Sequence, residues 1–414
     1  MKKRKLKNTK TKAMKLADAY YYLKFIFWIL TSLILLLIFG FSLSIVPLIF
    51  LIVVPFFLIL NFGYLSAYLT CKVLVKATNK RFISEIGKDY VNTYKGPPGT
   101  GKSTINNYSS VVKAEYQYEQ LQIEYAMLIP FEDEILESGN KDKIHHLNEV
   151  KEAFEFYAKN SHVIPMLCSN IPVKDFHDRT STVLDADHLE MRERLPYRGV
   201  GIYDEIALTF MADNKRGEKK NARLSTFMRF DRQFCEYTVG MTEQNSKSEN
   251  IEIRKVVAIN RCMLGQKSFL KPKLLILIHH LLCKLLIRKF KYINEDNFDY
   301  IVAKAKRVSK KYINFLIFYN QFLKAVGFRI FKYKDTENDE LKTKVNSDDI
   351  DKEEKQEVIA KGKFIIPAYS NCFTSDRPFK YAYQCKDKQL KFDVWQNLII
   401  EDEKILKSFE KNYK

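Results

Sequence analysis

The chain has 414 residues, of which 46% are hydrophobic and 14% aromatic, a composition that excludes a disordered protein. Sixty-eight Lys and Arg residues against 49 Asp and Glu residues give a formal net charge of +19. Residues 1–24 contain nine basic residues and one acid, and residues 264–334 contain sixteen basic residues and three acids. These two segments suggest contact with lipid headgroups or nucleic acid phosphates, with an ordinary solvated surface as the alternative.

An uncharged run of 47 residues extends from Phe25 to Cys71. One membrane-spanning helix needs about 20 apolar residues, so the run predicts two transmembrane helices, at 25–42 and 47–70. It is too long for the apolar core of a secretory signal. Lys and Arg residues precede and follow the run, so the positive-inside rule places both termini in the cytoplasm and makes residues 1–24 a basic cytoplasmic tail.

Nine residues, Gly96–Thr104, read GPPGTGKST and match the phosphate-loop pattern G-x-x-x-x-G-K-[ST] in full. A strand is predicted before the loop at 89–94 and a helix after it at about 104–127. In such a loop the backbone N–H groups bind the β-phosphate of ATP, Lys102 reaches the β- and γ-phosphates, and Ser103 binds Mg²⁺. The predicted nucleotide contacts are Gly96, Pro97, Pro98, Gly99, Thr100, Gly101, Lys102, Ser103 and Thr104.

An acidic pair, Asp204-Glu205, ends a short apolar run about 100 residues after the loop. Together with a phosphate loop, the pair predicts Mg²⁺-dependent hydrolysis, in which Asp204 holds Mg²⁺ and Glu205 polarises the attacking water. Gln244 follows another predicted strand and is a candidate for orienting that water or sensing the γ-phosphate, with an ordinary loop glutamine as the alternative. The predicted catalytic residues are therefore Lys102, Glu205 and Gln244.

Predicted strands alternate with predicted helices through this part of the chain. The further strands are at 162–168, in the short apolar run within 198–205, and at 236–241, and the further helices are at about 146–160, 186–195 and 221–233. This alternation predicts an α/β fold of the P-loop NTPase class, with a RecA-like parallel sheet, over residues 85–262.

Four pieces of this region resemble the zonula occludens toxin (Zot) family, which includes the gene I assembly proteins of filamentous phages. The pieces are GPPGTGKST, MLCSNIPV, GIYDEI and LSTFMRFDRQFCEYTVGMTEQNSKSENIEIRK. The resemblance covers about 170 residues. The chain differs from gene I proteins in placing two predicted spans before the ATPase rather than one after it. It also has Thr242-Glu243-Gln244 where the family has Thr-Gln.

The resemblance implies an ATPase in the cytoplasmic (inner) membrane of a bacterial host that drives phage assembly and exports single-stranded DNA. It matches Lys102 and Ser103 to the phosphate-loop positions and Asp204 and Glu205 to the acidic pair. The expected partners are membrane lipid, single-stranded DNA, phage coat or export-pore proteins, and further copies of the chain in a homo-oligomeric ring. The candidates for an arginine supplied by a neighbouring subunit are Arg229, Arg232 and Arg254.

Two other functions fit the same features. A membrane hairpin ahead of a motor is similar to the coupling proteins of conjugation, so a conjugative or FtsK/HerA-like DNA translocase is one alternative. A membrane assembly scaffold that is switched by nucleotide binding without hydrolysis is the other. Glu205→Gln separates the scaffold from both motors, because it spares nucleotide binding and removes the predicted catalytic carboxylate.

The C-terminal third divides into three predicted parts. These are a basic helical region at 263–333, a disordered linker at 334–360, and residues 361–414 as a small module or as extra strands of the ATPase sheet. Within the first part, Leu274–Ile287 is a 14-residue apolar stretch with basic flanks, too short to span a bilayer. It fits a helix on the membrane surface, a packed core helix or a contact to DNA.

Overall fold

The computed structural model describes residues 12–39, 46–86, 91–170, 173, 175, 179–183, 198–204, 238–243, 259–286, 310–336 and 358–368. Within these ranges the chain forms seven α-helices and eight β-strands. It divides into two compact units. The helical unit comprises residues 1–78, 267–330 and 365–369, and the sheet unit comprises residues 79–266, 331–364 and 370–414.

The sheet unit is built on one mostly parallel, mixed sheet. Its strands are β1 Val91–Lys95, β2 Val163–Ser169, β3 Thr180–Val183, β4 Val200–Tyr203, β5 Thr238–Glu243, β6 Ile259–Phe269, β7 Phe328–Thr336 and β8 Val358–Pro367. They are hydrogen-bonded in the order β3-β2-β4-β5-β1-β6-β7-β8. The strands from β3 to β6 in this order pair in parallel.

The strand order decides which ends of the strands meet. β5 lies between β1, which precedes the phosphate loop, and β4, which precedes Asp204. Tyr203 of β4 is opposite Met241 of β5, so Asp204 and Thr242 follow at the same level. Because parallel strands have their carboxyl ends at one edge, the loop, Asp204 and Thr242 share that edge. The predicted α/β class is therefore confirmed, and the sheet is compatible with a RecA-like domain.

The helices that the structure describes in the sheet unit follow the predicted phosphate loop. They are α3 Lys102–Leu128, α4 Glu132–Glu137 and α5 Lys141–Lys159, with a 3₁₀ turn at Ile129–Phe131. α3 packs over β2, β4 and β5, and its Ile105 and Leu121 are fully buried. The Asn140 side chain caps α5 by accepting from two backbone N–H groups at 3.1 and 3.3 Å. The helices predicted at 186–195 and 221–233 lie outside the described residues.

The described residues of the helical unit form four helices. They are α1 Lys12–Phe39, most of α2 Val46–Ser84, α6 Lys273–Leu286 and α7 Lys310–Ala325. α7 packs against both α1 and α6. The Tyr21 ring of α1 stacks on the rings of Tyr64 and Tyr68 of α2, at centroid distances of 5.4 and 4.4 Å. These aromatic contacts hold α1 against α2.

The predicted spans 25–42 and 47–70 overlap α1 and α2. Over the part of the chain that the structure describes, no helix combines the length and the apolarity needed to cross a membrane. α1 begins at Lys12, so residues 12–24 of the predicted tail are helical, whereas residues 1–11 lie outside the described ranges.

The structure moves several boundaries in the C-terminal third. β6 continues to Phe269 and β7 begins at Phe328, so the basic region 263–333 is not helical at its two ends. β7 extends to Thr336 and β8 begins at Val358, so both ends of the predicted linker 334–360 are strand. The composition of this segment, with almost no apolar residue, predicted a disordered linker. Composition does not show that polar residues such as Asp335 and Thr336 are buried. Residues 361–367 join the sheet within β8, while residues 369–414 lie outside the described ranges.

A buried ion cluster explains why β7 extends so far. Arg261 of β6 is 1% exposed and donates hydrogen bonds of 3.0 Å to Asp335 of β7 and to Glu85. Its guanidinium lies 5.7 Å from the ring of Tyr94, its partner in the β1–β6 register. Burial acts to lower the pKa of Arg261, but Tyr94, Glu85 and Asp335 outweigh it and raise the pKa, so the cation persists.

Candidate nucleotide-binding site

The predicted phosphate loop connects β1 directly to α3. Gly96, Gly99 and Gly101 adopt φ angles of +144°, +82° and +90°, a region that residues with a Cβ rarely occupy. A Cβ on Gly96 would lie 2.8 Å from the carbonyl oxygen of Met263, and a Cβ on Gly101 would overlap the ring of Phe331. Gly96 and Gly101 are therefore required by space as well as by conformation, and Gly99 by conformation alone. Gly101 caps α3 without a side chain, so the first N–H groups of the helix face the loop.

The loop is held by its own hydrogen bonds. Lys102 is buried, and its Nζ donates to the Gly96 carbonyl at 2.6 Å. The Thr100 hydroxyl donates to the Pro97 carbonyl at 2.8 Å. These contacts place the Lys102 ammonium beside the loop backbone, where the predicted β- and γ-phosphate contacts require it.

Gln266 of β6 adds a contact that the sequence analysis missed. Its Nε2 donates to the Gly99 carbonyl at 2.9 Å. A glutamine 167 residues from Gly99 carries no local signal of this contact, which exists because β6 pairs with β1.

The two predicted Mg²⁺ ligands lie in direct contact. The Ser103 hydroxyl, in the first turn of α3, donates to Asp204 Oδ1 at 3.0 Å. Asp204 follows β4 and is buried. Hydroxyl and carboxylate oxygens are hard ligands of the kind that Mg²⁺ accepts, and Mg²⁺ bound in this way keeps several waters. The residues present therefore fit the ion, and Ser103 and Asp204 are the side chains that would hold it.

Thr242 is a second hydroxyl donor to the same carboxylate. Its Oγ1 donates to Asp204 Oδ1, and its side chain is fully buried at the end of β5. The sequence analysis placed the polar residue of this strand at Gln244, two positions later. Gln244 and Glu205 both lie outside the described residues, as do Arg229, Arg232 and Arg254.

Asn170, at the end of β2, fixes the backbone of Asp204. The Asp204 N–H donates to Asn170 Oδ1 at 2.8 Å, and Asn170 Nδ2 donates to the Asp204 carbonyl at 3.1 Å. Asn170 is 2% exposed, so both bonds are shielded from water. The residue lies within the MLCSNIPV piece, but the sequence analysis gave it no task. Side-chain contacts to Asp204 thus come from α3, β5 and the end of β2.

One turn after Ser103, α3 is tied to β5 and β1. Asn106 Nδ2 donates to the Gly240 carbonyl of β5 at 3.2 Å, and the Tyr94 and Ser109 hydroxyls are 3.1 Å apart. A Cβ at Gly240 would overlap the Asn106 side chain, so only glycine lets α3 approach β5 this closely. This packing sets the position of Ser103 relative to the strand ends.

The described residues define an α/β domain in which a phosphate loop and a buried carboxylate meet at the carboxyl edge of a mostly parallel sheet. Comparisons with protein-family models, with curated proteins and with solved structures gave no match. The resemblance to the Zot family therefore rests on the four pieces of sequence quoted above.

Proposed function

We propose that the chain is a membrane-anchored, Mg²⁺-dependent ATPase that drives filamentous phage assembly and the export of single-stranded DNA. The observation that carries the ATPase part is the 3.0 Å hydrogen bond between Ser103 of the phosphate loop and Asp204 at the end of β4. These residues are 101 positions apart, and both have the chemistry of Mg²⁺ ligands. A glycine-rich turn without catalytic meaning would not need a buried carboxylate at this distance.

Each residue of the proposed site has one task. The N–H groups of the loop and of the first turn of α3 bind the phosphates, and Lys102 adds positive charge beside them. Ser103 and Asp204 hold the metal ion, which when bound neutralises negative charge on the phosphates. Glu205 accepts a proton from the attacking water, and Gln244 orients that water.

The membrane and DNA parts rest on the sequence. The uncharged run 25–71 lies between basic segments, which supports an anchor of two helices with both termini in the cytoplasm. The four pieces that resemble the Zot family support virion export, a ring of subunits, and coat or export-pore proteins as partners. An arginine from a neighbouring subunit, chosen from Arg229, Arg232 and Arg254, completes each site in this proposal.

The test is ATP hydrolysis by the detergent-solubilised protein, with and without single- and double-stranded DNA. We expect turnover that single-stranded DNA raises most. Lys102→Ala removes nucleotide binding and hydrolysis together, whereas Glu205→Gln keeps binding and removes hydrolysis, because it spares the phosphate contacts. Asp204→Asn is the matched control for the metal: nucleotide binding without Mg²⁺ stays unchanged and Mg²⁺-dependent turnover is lost.

The same variants separate the alternatives. Stimulation by double-stranded DNA alone favours a conjugative or FtsK/HerA-like translocase. If the Glu205→Gln protein still supports virion release or DNA transfer in cells, hydrolysis is not required and the chain works as a nucleotide-switched scaffold. That outcome overturns the proposed ATPase.

A further inference from the structure

Helix α6, Lys273–Leu286, exposes its apolar side chains. Five of them share one face because they recur at spacings of three and four residues, and each is between 39% and 79% exposed. We name this face the outer stripe, and its members are Leu274, Leu277, Ile278, Leu281 and Leu285. A contiguous apolar surface of this kind is rare on a protein that meets only water.

The opposite face of α6 packs against α7. His279 and Cys283 are 1% and 0% exposed, and the His279 ring lies 5.5 Å from the ring of Tyr319 of α7. The Tyr319 hydroxyl donates to the Leu275 carbonyl at 3.0 Å. α6 thus has His279 and Cys283 on its buried face and its leucines on its exposed face. A helix on a water-facing surface has the opposite arrangement, with its apolar side chains buried. The rotation is set by contacts with α7, so the outer stripe is a property of the fold.

Basic residues border the outer stripe. Lys273 and Lys284 are both exposed and lie eleven residues apart, about three helical turns, which places them along one edge of the stripe. Lys271 is exposed just before the helix. A lysine lays its alkyl chain along apolar surface and keeps its ammonium at the polar boundary, so this edge complements anionic headgroups.

Two tyrosines fix the position of the residues just before α6. The Leu270 carbonyl, three residues before α6, accepts hydrogen bonds from the hydroxyls of Tyr21 at 2.8 Å and Tyr64 at 3.2 Å. Tyr21 lies four residues before the predicted span 25–42, and Tyr64 lies six residues before the end of the predicted span 47–70. Tyrosine concentrates where a membrane meets water. The start of α6 is therefore tied to the cytoplasmic ends of both predicted spans.

We propose that α6 lies in the plane of the cytoplasmic membrane surface, with the outer stripe among the acyl chains and Lys271, Lys273 and Lys284 against anionic phospholipid headgroups. The 14 residues of α6 are too few to cross a bilayer, which needs about 20. A helix with an exposed apolar face and a basic border binds such an interface through the apolar area that it buries there and through its charge. The proposal rests on the membrane anchoring in the proposed function.

The test measures lipid contact by tryptophan fluorescence in the full-length protein, reconstituted in vesicles that contain phosphatidylglycerol with brominated acyl chains. Leu281→Trp places a reporter on the outer stripe. Phe156→Trp, at an exposed position of α5, is the matched control. We expect bromine to quench the emission that Leu281→Trp adds and to leave the emission that Phe156→Trp adds unchanged. The second tryptophan of the chain, Trp395, is replaced by Phe in every protein, so Trp28, inside the first predicted span, reports the anchor in both variants and in the protein without an added tryptophan.

The remaining outcomes overturn the proposal in distinguishable ways. If bromine quenches Trp28 but not Trp at position 281, the anchor stands and α6 is away from lipid. If it quenches neither, the membrane anchor fails as well. If the reporter at 281 is shielded both from bromine and from aqueous acrylamide, protein covers the outer stripe, and concentration-dependent cross-linking shows whether that protein is a second copy of the chain.

A second measurement tests the headgroup contact. In brominated phosphatidylcholine, which carries no net charge, we expect weaker quenching of the reporter at 281 than in phosphatidylglycerol. Lys271→Gln combined with Lys273→Gln and Lys284→Gln removes this difference if the three lysines bind the anionic headgroups. Equal quenching of the unsubstituted reporter protein in both lipids overturns that part of the proposal.

Discussion

Thr242→Val tests whether the hydroxyl at the end of β5 holds Asp204 in its working position. Valine has nearly the shape of threonine but no hydroxyl, so the substitution removes the hydrogen bond to Asp204 Oδ1 and keeps the packing of a buried side chain. A hydrogen bond to an ionised group contributes about 1.5–3 kcal/mol. Since about 1.4 kcal/mol corresponds to a factor of ten, we expect Mg²⁺-ATP hydrolysis to fall by about 10- to 150-fold.

A Mg²⁺ titration of the hydrolysis rate locates the loss. Asp204 is the proposed metal ligand, so the Mg²⁺ concentration for half-maximal rate rises in Thr242→Val, while nucleotide binding without Mg²⁺ stays as in the wild type. Thr242→Ser is the matched control, because it keeps the hydroxyl and removes only a methyl group. An unchanged Mg²⁺ dependence in Thr242→Val, or equal losses in both variants, would refute the assignment.

Three further predictions use other parts of the sheet and helical units. Asn170→Ala removes both hydrogen bonds to the Asp204 backbone and leaves a buried N–H unpaired, which costs about 1–3 kcal/mol; we expect kcat to fall, with nucleotide affinity unchanged in equilibrium binding. Arg261→Met removes the buried cation that Glu85 and Asp335 share and leaves them only longer ion pairs, of 3.5–3.7 Å, to Arg81 and Lys113. We expect the free energy of unfolding in urea to fall by up to about 3–5 kcal/mol, and by less in Arg261→Lys, because the charge remains. Burial lowers the pKa of His279, and the neighbouring His280 also lowers it, whereas a hydrogen bond that the ring donates to the Leu316 backbone acts to raise it. The unfolded chain therefore binds a proton at His279 more readily than the folded chain, so the free energy of unfolding decreases as the pH falls through about 6.5. In thermal unfolding, we expect the midpoint temperature of His279→Gln to decrease less over this pH range than that of the wild type.

The phosphate loop and its flanks could be predicted because the signal is local. The Gly96–Thr104 motif, the strand before it and the long helix after it all follow from neighbouring residues, and β1 and α3 lie within a few residues of the predicted bounds. The position of Asp204 beside the loop could be predicted because it follows a short apolar run. A phosphate-loop ATPase has a carboxylate at the end of such a strand. The contact between Ser103 and Asp204 confirms that the structure brings these two residues together.

The contacts of Thr242 and Asn170 to Asp204 could not be read from the sequence, because they depend on strand order. β5 lies next to β1 although three strands separate them along the chain, and β2 lies next to β4 although β3 comes between them in the chain. The same limit explains the predicted linker at 334–360. From composition alone, its first residues are predicted to be solvent-exposed. They are strand because Arg261, 74 residues from Asp335, forms a buried ion pair with that aspartate. Local composition carries no information about such distant partners.

The helical unit is assembled from stretches that are far apart along the chain, and this has a consequence for synthesis. Tyr64 and the carbonyl of Leu270 that it binds are 206 residues apart. At about 5–20 residues per second, the ribosome makes α2 roughly 10–40 s before α6. During that interval neither α6 nor α7 exists, so in the proposed membrane-anchored protein the uncharged run 25–71 meets lipid or insertion machinery before its own protein partners. In that proposal the order of synthesis favours insertion first and closure of the helical unit afterwards, and a chain that stops before residue 310 has α1 against α2 but without α7.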